Sequence, residues 1–341
     1  MWEPSDSLLT ICRHWFVAAP EAIHPIASSG WSGVPVLAVT AAGREYILKR
    51  FTEGTTRRRA EWVHALLAHC GAACPAIVPE VIRGRDGGTL HEDAAGGLWE
   101  LVVRGPGEPC DDPTPARRAA AAAALASLHA AAEKFSAHVP YRAASPGVDR
   151  RRAQLAALLV RPWNTWPAHD ASGDMPERLR RAAALLAAHG NAAYLARIAA
   201  LDPGAVVVQP VLRDVWAEHV LFLGDHVAAV IDWHASGIDT PATDIARLTG
   251  SWPAAAEHRL GFLEAYAGVR PVSEAERRLV PYLDTTGVIC AIDNWLRWTL
   301  EEQRRFTDGQ RVRERIDRLL ARLPEALDEL QRQDGLAATW P

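Results

Sequence analysis

Residues 211–222 read VLRDVWAEHVLF, and residues 231–237 read IDWHASG. In each, an aspartate closes an apolar run: Asp214 follows VVVQPVL (206–212) and Asp232 follows HVAAVI (226–231), with His219 between them. Short β-branched runs split by Gly224 and Asp225 spell a strand hairpin, so both acids belong on loops at strand ends. Carboxylates so placed suit a metal-bound phosphate, because magnesium takes hard oxygen ligands and leaves room for phosphate oxygens.

Outward from this hairpin the chain divides in texture. From about residue 24 to 105 it favours strands: VPVLAV (34–39) and REYILKRF (44–51) flank the turn-like TAAG, a hairpin signature. One helix interrupts them, with Ala60, Val63, Leu66 and Leu67 on one face and Gly71 available to close it. A Pro-, Gly- and acid-rich segment, residues 105–115, then marks a lobe boundary. Beyond it the apolar spacing of three and four predicts helices over 115–134, 149–160, 176–200, 254–268, 273–302 and 309–334, with strands confined to 205–233. The expected division is a lobe over 1–104, a linker over 105–115 and a mostly helical lobe over 116–341.

The bulk numbers exclude several classes. With 49% apolar and 23% charged residues and a net charge of -4, the 341-residue chain is neither disordered nor marked by a nucleic-acid footprint. The basic clusters Arg57–Arg59 and Arg150–Arg152 read as solvated helix faces. Five cysteines without a CxxC spacing suggest a reducing compartment. No signal-peptide pattern and no apolar run long enough to span a bilayer is present, so a cytoplasmic protein without membrane or nucleic-acid partners is expected.

Phosphoryl transfer needs an acceptor for the attacking hydroxyl's hydrogen bond, metal on the phosphates and a cation on the nucleotide. Asp214 suits the first role, Asp232 the second and Lys49, in the strand YILK, the third. Taken alone, Lys49 reads equally as a water-facing edge residue and Glu61 as a surface acid.

Taken in order, the pieces resemble the aminoglycoside phosphotransferase and choline kinase group, small-molecule kinases with a protein-kinase-like fold, over roughly residues 25–300. The elements are SSGWSG (28–33), YILK, a helix bearing a glutamate, LWELVVRGPG (98–107), ALASLHAA (124–131), the stretch around Asp214, IDW and TDIARL (243–248). That group carries HGDxxxxN followed by hIDWexxxxGxxxxDLA. The resemblance implies an α+β fold with two lobes, a small antiparallel sheet carrying one helix and a larger helical lobe. It makes Asp214 the catalytic aspartate, Asp232 the metal aspartate and Asp244 the buried acid bracing the catalytic loop. Lys49 and Glu61 become the pair that positions the phosphates, Gly30 and Gly33 the turn over them, and the backbone from Glu100 to Val102 the hinge that meets adenine.

The chain departs from that pattern at the catalytic loop. Leu212 and Arg213 stand where the group has histidine and glycine, and His219 where it has a metal-binding asparagine. An imidazole suits manganese or zinc better than magnesium, so His219 reads as a metal ligand, as a hydrogen-bond partner of Asp214, or as neither. Arg213 reads as a stabiliser of transferring phosphate charge or as the partner of an acid. Trp216, Trp233, Trp295 and Trp298 fall where the acceptor would lie, either as core filling or as an aromatic wall. Asp284, Asp293, Glu301 and Glu302 would serve a cationic acceptor, but Arg297, Arg304 and Arg305 offset them, so an uncharged or anionic hydroxyl compound suits at least as well. The implied activity is phosphoryl transfer from ATP, with GTP as the alternative, to a small-molecule hydroxyl with Mg2+ or Mn2+. The competing expectation is a nucleotide-binding pseudokinase with a regulatory or scaffolding role.

Overall fold

The computed structural model describes residues 5–26, 34–137, 139–160, 174–189, 204–304, 306 and 309–337. The glycine turn with Gly30 and Gly33 lies outside the described residues, as does the segment 190–200 of an expected helix.

The first hairpin forms where the alternation requires it. Strand β2 (Val36–Ala41) pairs antiparallel with β3 (Arg44–Arg50), closing Ala41 on Arg44. The two turn residues, Ala42 and Gly43, both have positive φ (51° and 69°), the geometry of a two-residue hairpin loop. With β1 (Ala22–Pro25), β4 (His91–Glu92) and β5 (Leu98–Val103) they make a five-stranded sheet in the order β1-β2-β3-β5-β4, antiparallel throughout.

One face of this sheet carries a small core of its own. Leu37, Val39, Leu48 and Leu101 pack there against Leu8, Ile11 and Trp15. Leu8 and Ile11 belong to a helix the sequence pattern does not announce, α1 (Asp6–Cys12), too short for a periodic signal and capped by Ser5. The sheet lobe therefore carries two helices instead of the expected one. The other, α2 (Arg57–Ala73), starts at the N-cap Thr56, yet its Val63, Leu66 and Leu67 join the larger hydrophobic core of the following lobe.

That larger lobe is built from α3 (Pro115–Ala132), α4 (Pro146–Leu159), α5 (Asp174–His189), α6 (Pro241–Thr249), α7 (Ala255–Ala267), α8 (Glu274–Leu296) and α9 (Gly309–Ala337). Helix α8 opens on a capping box between Ser273 and Glu276, and a π-helical turn over Arg297–Glu301 ends the long helix expected to run to 302. Two small sheets sit among the helices. Strand β8 (Val206–Val211) lies between β7 (Tyr141–Ala143) and β11 (Gly237–Asp239), and the hairpin β9 (Val220–Leu223) with β10 (His226–Val230) is extended by β6 (Glu108–Pro109). The 105–115 segment is thus more than a connector: its Glu108 and Pro109 pair with Phe222 and Leu221. No helix among the described residues is long and apolar enough to cross a membrane.

Pairing of β11 with β8, Gly237 opposite Val211, draws the chain after IDW alongside the loop that follows β8. This register brings Asp214 and Asp232 to one cleft.

Candidate active site

Alternation along β3 buries Tyr46 and Leu48 in the small core and turns Lys49 to the opposite face, where Glu100 stands across from it on β5. Lys49 Nζ reaches the Asp232 carboxylate, 2.6 Å from Oδ1. Burial alone would raise the Asp232 carboxyl, but Lys49, then His219 and His234, hold it below the usual carboxylate range. Asp232 adopts φ +61°, a left-handed conformation that turns its side chain out of the β10 direction.

The expected Lys49–Glu61 pair is not formed among the described residues. Glu61 is exposed on α2, and the buried polar group on that helix is His64, which faces Glu100 with Nε2 2.7 Å from Oε2. The reason lies in the helical period: Ala60, Val63 and Leu67 define the inward face, and position 64 falls beside it whereas position 61 points away. His234 reaches the other oxygen of Glu100 at 2.6 Å and stacks on Phe51 with ring centroids 3.8 Å apart. Burial alone would raise Glu100, but His234 and then His64 hold it far below the ordinary glutamate range. A His–Glu–His bridge therefore ties α2, the first sheet and the loop after β10. Arg59 reinforces the tie by donating to the carbonyl oxygens of His234 and Ser236.

The residues expected to meet adenine, Glu100–Val102, lie within the paired strand β5. Those residues are interior to the sheet: Leu101 O accepts from Ile82 N–H at 2.8 Å, Val102 bridges Val81, and β3 pairs on the other side. The crossing to the larger lobe comes at 104–107. There a Cβ on Gly105 would lie 2.6 Å from that of Ala229, and Gly107, at φ +91°, passes equally close to Phe222 O.

On the loop after β8, Asp244 of α6 accepts backbone hydrogen bonds from Leu212 (2.7 Å to Oδ2) and Arg213 (2.7 Å to Oδ1). His129 of α3 meets the same carboxylate at 3.0 Å and Tyr266 at 2.7 Å. Arg213 sits at φ +66°, a conformation natural to the glycine that the resemblance expects there. Two carboxylate bonds to consecutive amides hold the loop in that strained form.

One helical turn beyond Asp244, Arg247 braces the side chain that the loop presents. Asp214 Oδ1 accepts from Arg247 Nη2 and from Trp216 Nε1, each at 2.5 Å. Among the described residues its Oδ2 carries no hydrogen bond. Trp216 is itself held by Arg247 and Arg315, each guanidinium carbon 4.1 Å from the ring centroid.

His219 Nδ1 lies 2.7 Å from Asp214 O. A carbonyl oxygen only accepts, so Nδ1 carries a proton, and Nε2 is the ring nitrogen that would face a metal. That nitrogen is 3.8 Å from Asp232 Oδ2. The pair thus offers one imidazole nitrogen and one carboxylate oxygen to a divalent ion. No described group of three or more His, Cys, Asp or Glu residues forms a metal cage, and a two-donor site suits an ion that takes its remaining ligands from phosphates and water. The residues fit such a metal.

Lys49, Asp214, His219 and Asp232 line one cavity of about 320 Å3. It adjoins a larger one of about 700 Å3, bordered by Trp216, Trp295 and Trp298. Trp233 is not at this wall: it is buried, donating Nε1–H to Val230 O at 2.8 Å. Asp284 offers nothing to a cationic acceptor, because Arg259 and Arg322 both engage its Oδ2. Arg247, His64 and His234 were not singled out by the sequence. The signals were present in ARL one turn after Asp244, in His64 on the apolar face of α2, and in the histidine of IDWH.

A small sheet lobe over a helical lobe, with a lysine and two loop aspartates converging in the cleft, defines a phosphotransferase of the kinase-like fold. A model of the phosphotransferase enzyme family (APH) matches residues 23–280, and the chain belongs to that family. It is a small-molecule phosphotransferase. Among curated proteins it is similar to the homoserine kinase of Granulibacter bethesdensis, with 24% identity over 293 residues covering 82% of this chain and 81% of the relative. Among solved structures, spectinomycin phosphotransferase in complex with ADP and spectinomycin superposes with a TM-score of 0.63 at 11% identity, covering 96% of this chain and 97% of the other. A microcompartment-associated aminopropanol kinase gives 0.60 at 17% identity, covering 96% and 98%. At those identities the two structures speak to the fold alone.

Proposed function

We propose that the chain transfers the γ-phosphoryl group of ATP to a hydroxyl of a small molecule, with Asp214 as the catalytic carboxylate. The observation that carries this reading is the convergence of Lys49, Asp232 and His219 on one cavity whose wall includes Asp214 with Oδ2 left open. Lys49 would donate to the phosphates, and main-chain groups of the 104–107 crossing, not Glu100–Val102, would meet the adenine. Asp232 and His219 would hold a magnesium or manganese ion, which would supply neutralisation of phosphate charge. Asp214 Oδ2 would accept the hydrogen bond of the attacking hydroxyl and orient its lone pair in line with the transferring phosphorus. The homology to homoserine kinases supports an acceptor with an alcohol group.

The test is Asp214→Asn. Nucleotide affinity should be nearly unchanged while kcat falls by at least about a hundredfold, as expected on losing a positioned acid–base group. A variant as active as the parent would remove Asp214 from the role.

A further inference from the structure

The larger cavity carries an excess of positive charge that the phosphotransferase reading does not use. Among the described residues, seven arginines line it against three carboxylates, Asp111, Asp284 and Glu325. Three of the seven are occupied: Arg150 on Asp239 at 2.5 Å, Arg247 on Asp214 at 2.5 Å and Arg322 on Asp284 at 2.6 Å. The other four, Arg151, Arg213, Arg315 and Arg318, make no ion pair among the described residues. Arg151 donates to the neutral Gln154 amide at 2.9 Å.

The carboxylates do not balance them. Asp284 is shared by Arg259 and Arg322, Glu325 accepts from the Ala256 N–H at 3.3 Å, and Asp111 is exposed. Crowding of like charge shows in the guanidinium groups themselves. Burial first, then Arg318 and Arg247, push Arg315 down to about 10. Arg151 and Arg213 are also lowered, chiefly by burial, with Arg150 and Arg247 adding to it in both, while Cys290 partly offsets it in Arg151 and Asp239 and Asp244 partly offset it in Arg213. Confined, unpaired guanidinium groups repel a cation and gain by accepting an anion, most strongly through bidentate bonds to a carboxylate or phosphate.

The nucleotide does not account for them all. Arg247, Arg315 and Arg318 border both cavities, but Arg151 and Arg213 line only the larger one, away from Lys49 and Asp232. Resting on the phosphotransferase reading of the adjoining site, we infer that the acceptor is a net anion: a hydroxy compound whose carboxylate or phosphate group is held by Arg151 and Arg213 while its hydroxyl reaches Asp214. With no unpaired buried carboxylate among the described lining residues to receive an ammonium group, the site disfavours amino alcohols and aminoglycosides. Homoserine, which carries an ammonium beside its carboxylate, should rank below the acid that lacks it.

Two matched series test this: 4-hydroxybutyrate, homoserine and 4-aminobutan-1-ol, and gluconate, sorbitol and glucamine. Each is assayed for ATP-dependent phosphorylation and, with AMP-PNP and manganese present, for binding by calorimetry. The acid of each series should exceed its amine by at least about tenfold in kcat/KM or affinity, and Arg151→Gln should erase most of that preference while leaving AMP-PNP affinity unchanged. Amines equal to or better than acids, or AMP-PNP binding without binding of either acid, would overturn the inference and leave the kinase reading intact. Turnover of the acids with free phosphate and carboxylate competing equally would identify the shared anion chemistry; inhibition by inorganic phosphate alone would assign the subsite to a phosphate ester. Failure of AMP-PNP itself to bind would instead count against the kinase reading.

Discussion

Replacing Arg247 by glutamine would remove the guanidinium that fixes the Asp214 carboxylate and would cost activity more than stability. The ion pair at 2.5 Å joins side chains that are each about one-third exposed (30% and 33%), so solvent screening limits its contribution to about 1 kcal/mol. Loss of the cation–π contact with Trp216, at 4.1 Å, adds about 0.5–1 kcal/mol. A fall of about 1–2 kcal/mol in unfolding free energy should lower Tm by only a few degrees in a chain of this length. Catalysis should suffer more, because Asp214 Oδ1 would keep Trp216 as its one remaining donor and the carboxylate could rotate off the hydroxyl's approach. Misplacement on the scale of an ångström costs about a hundredfold in rate, so kcat should drop roughly 10- to 100-fold with little change in the KM for ATP. Arg247→Lys should recover the charge but not the two-sided contact and should fall between. Steady-state kinetics with thermal unfolding on the same preparations decide the matter: a kcat within twofold of the parent, at preserved Tm, would refute the positioning argument.

Further outcomes follow from the same geometry. Arg213→Gly should relieve the φ +66° conformation and, after the added chain entropy of glycine, leave stability within about 1 kcal/mol of the parent in chemical unfolding, whereas a loss of several kcal/mol would show that the arginine side chain holds the loop. His219→Asn should shift metal preference from manganese toward magnesium in activity assays; equal dependence in both proteins would exclude Nε2 as a ligand. Glu100 is held below its ordinary pKa in the fold, so its contribution is full above the unfolded value of 4.5 and declines as pH falls below it. Glu100→Gln should therefore lower stability at neutral pH by on the order of 3 kcal/mol and flatten the acid side of the stability profile; an unchanged slope below that value would contradict the assigned shift.

What the sequence disclosed was whatever sits close together along the chain. The TAAG hairpin, the strands around Asp214 and Asp232, and Asp244 in its apolar helix carry local signals, and the structure places Asp214 and Asp232 on one cleft. What it concealed depends on contacts between distant segments. Glu61 is the obvious acid of α2, but the period of that helix turns it to water, and only the fold reveals that His64 meets Glu100 and, through it, His234. LWELVV does not show where sheet pairing stops; hydrogen bonds to residues 80–82 decide that. Arg150 and Arg151 looked like a solvated helix face, and their convergence with Arg213 and Arg315 on one cavity joins elements far apart in sequence. Trp233 was grouped with the pocket by proximity to Asp232, yet at the end of β10 its side chain turns into the core, opposite to the aspartate beside it.

The central claim, a metal–nucleotide site formed by Lys49, Asp232 and His219, is tested most directly by calorimetric titration of ATP into the protein with magnesium, with manganese and with chelator, in parallel with Asp232→Asn. The account predicts metal-dependent binding that weakens by at least about tenfold in the variant. Absence of binding under every condition, or binding indifferent to both metal and Asp232, would contradict it.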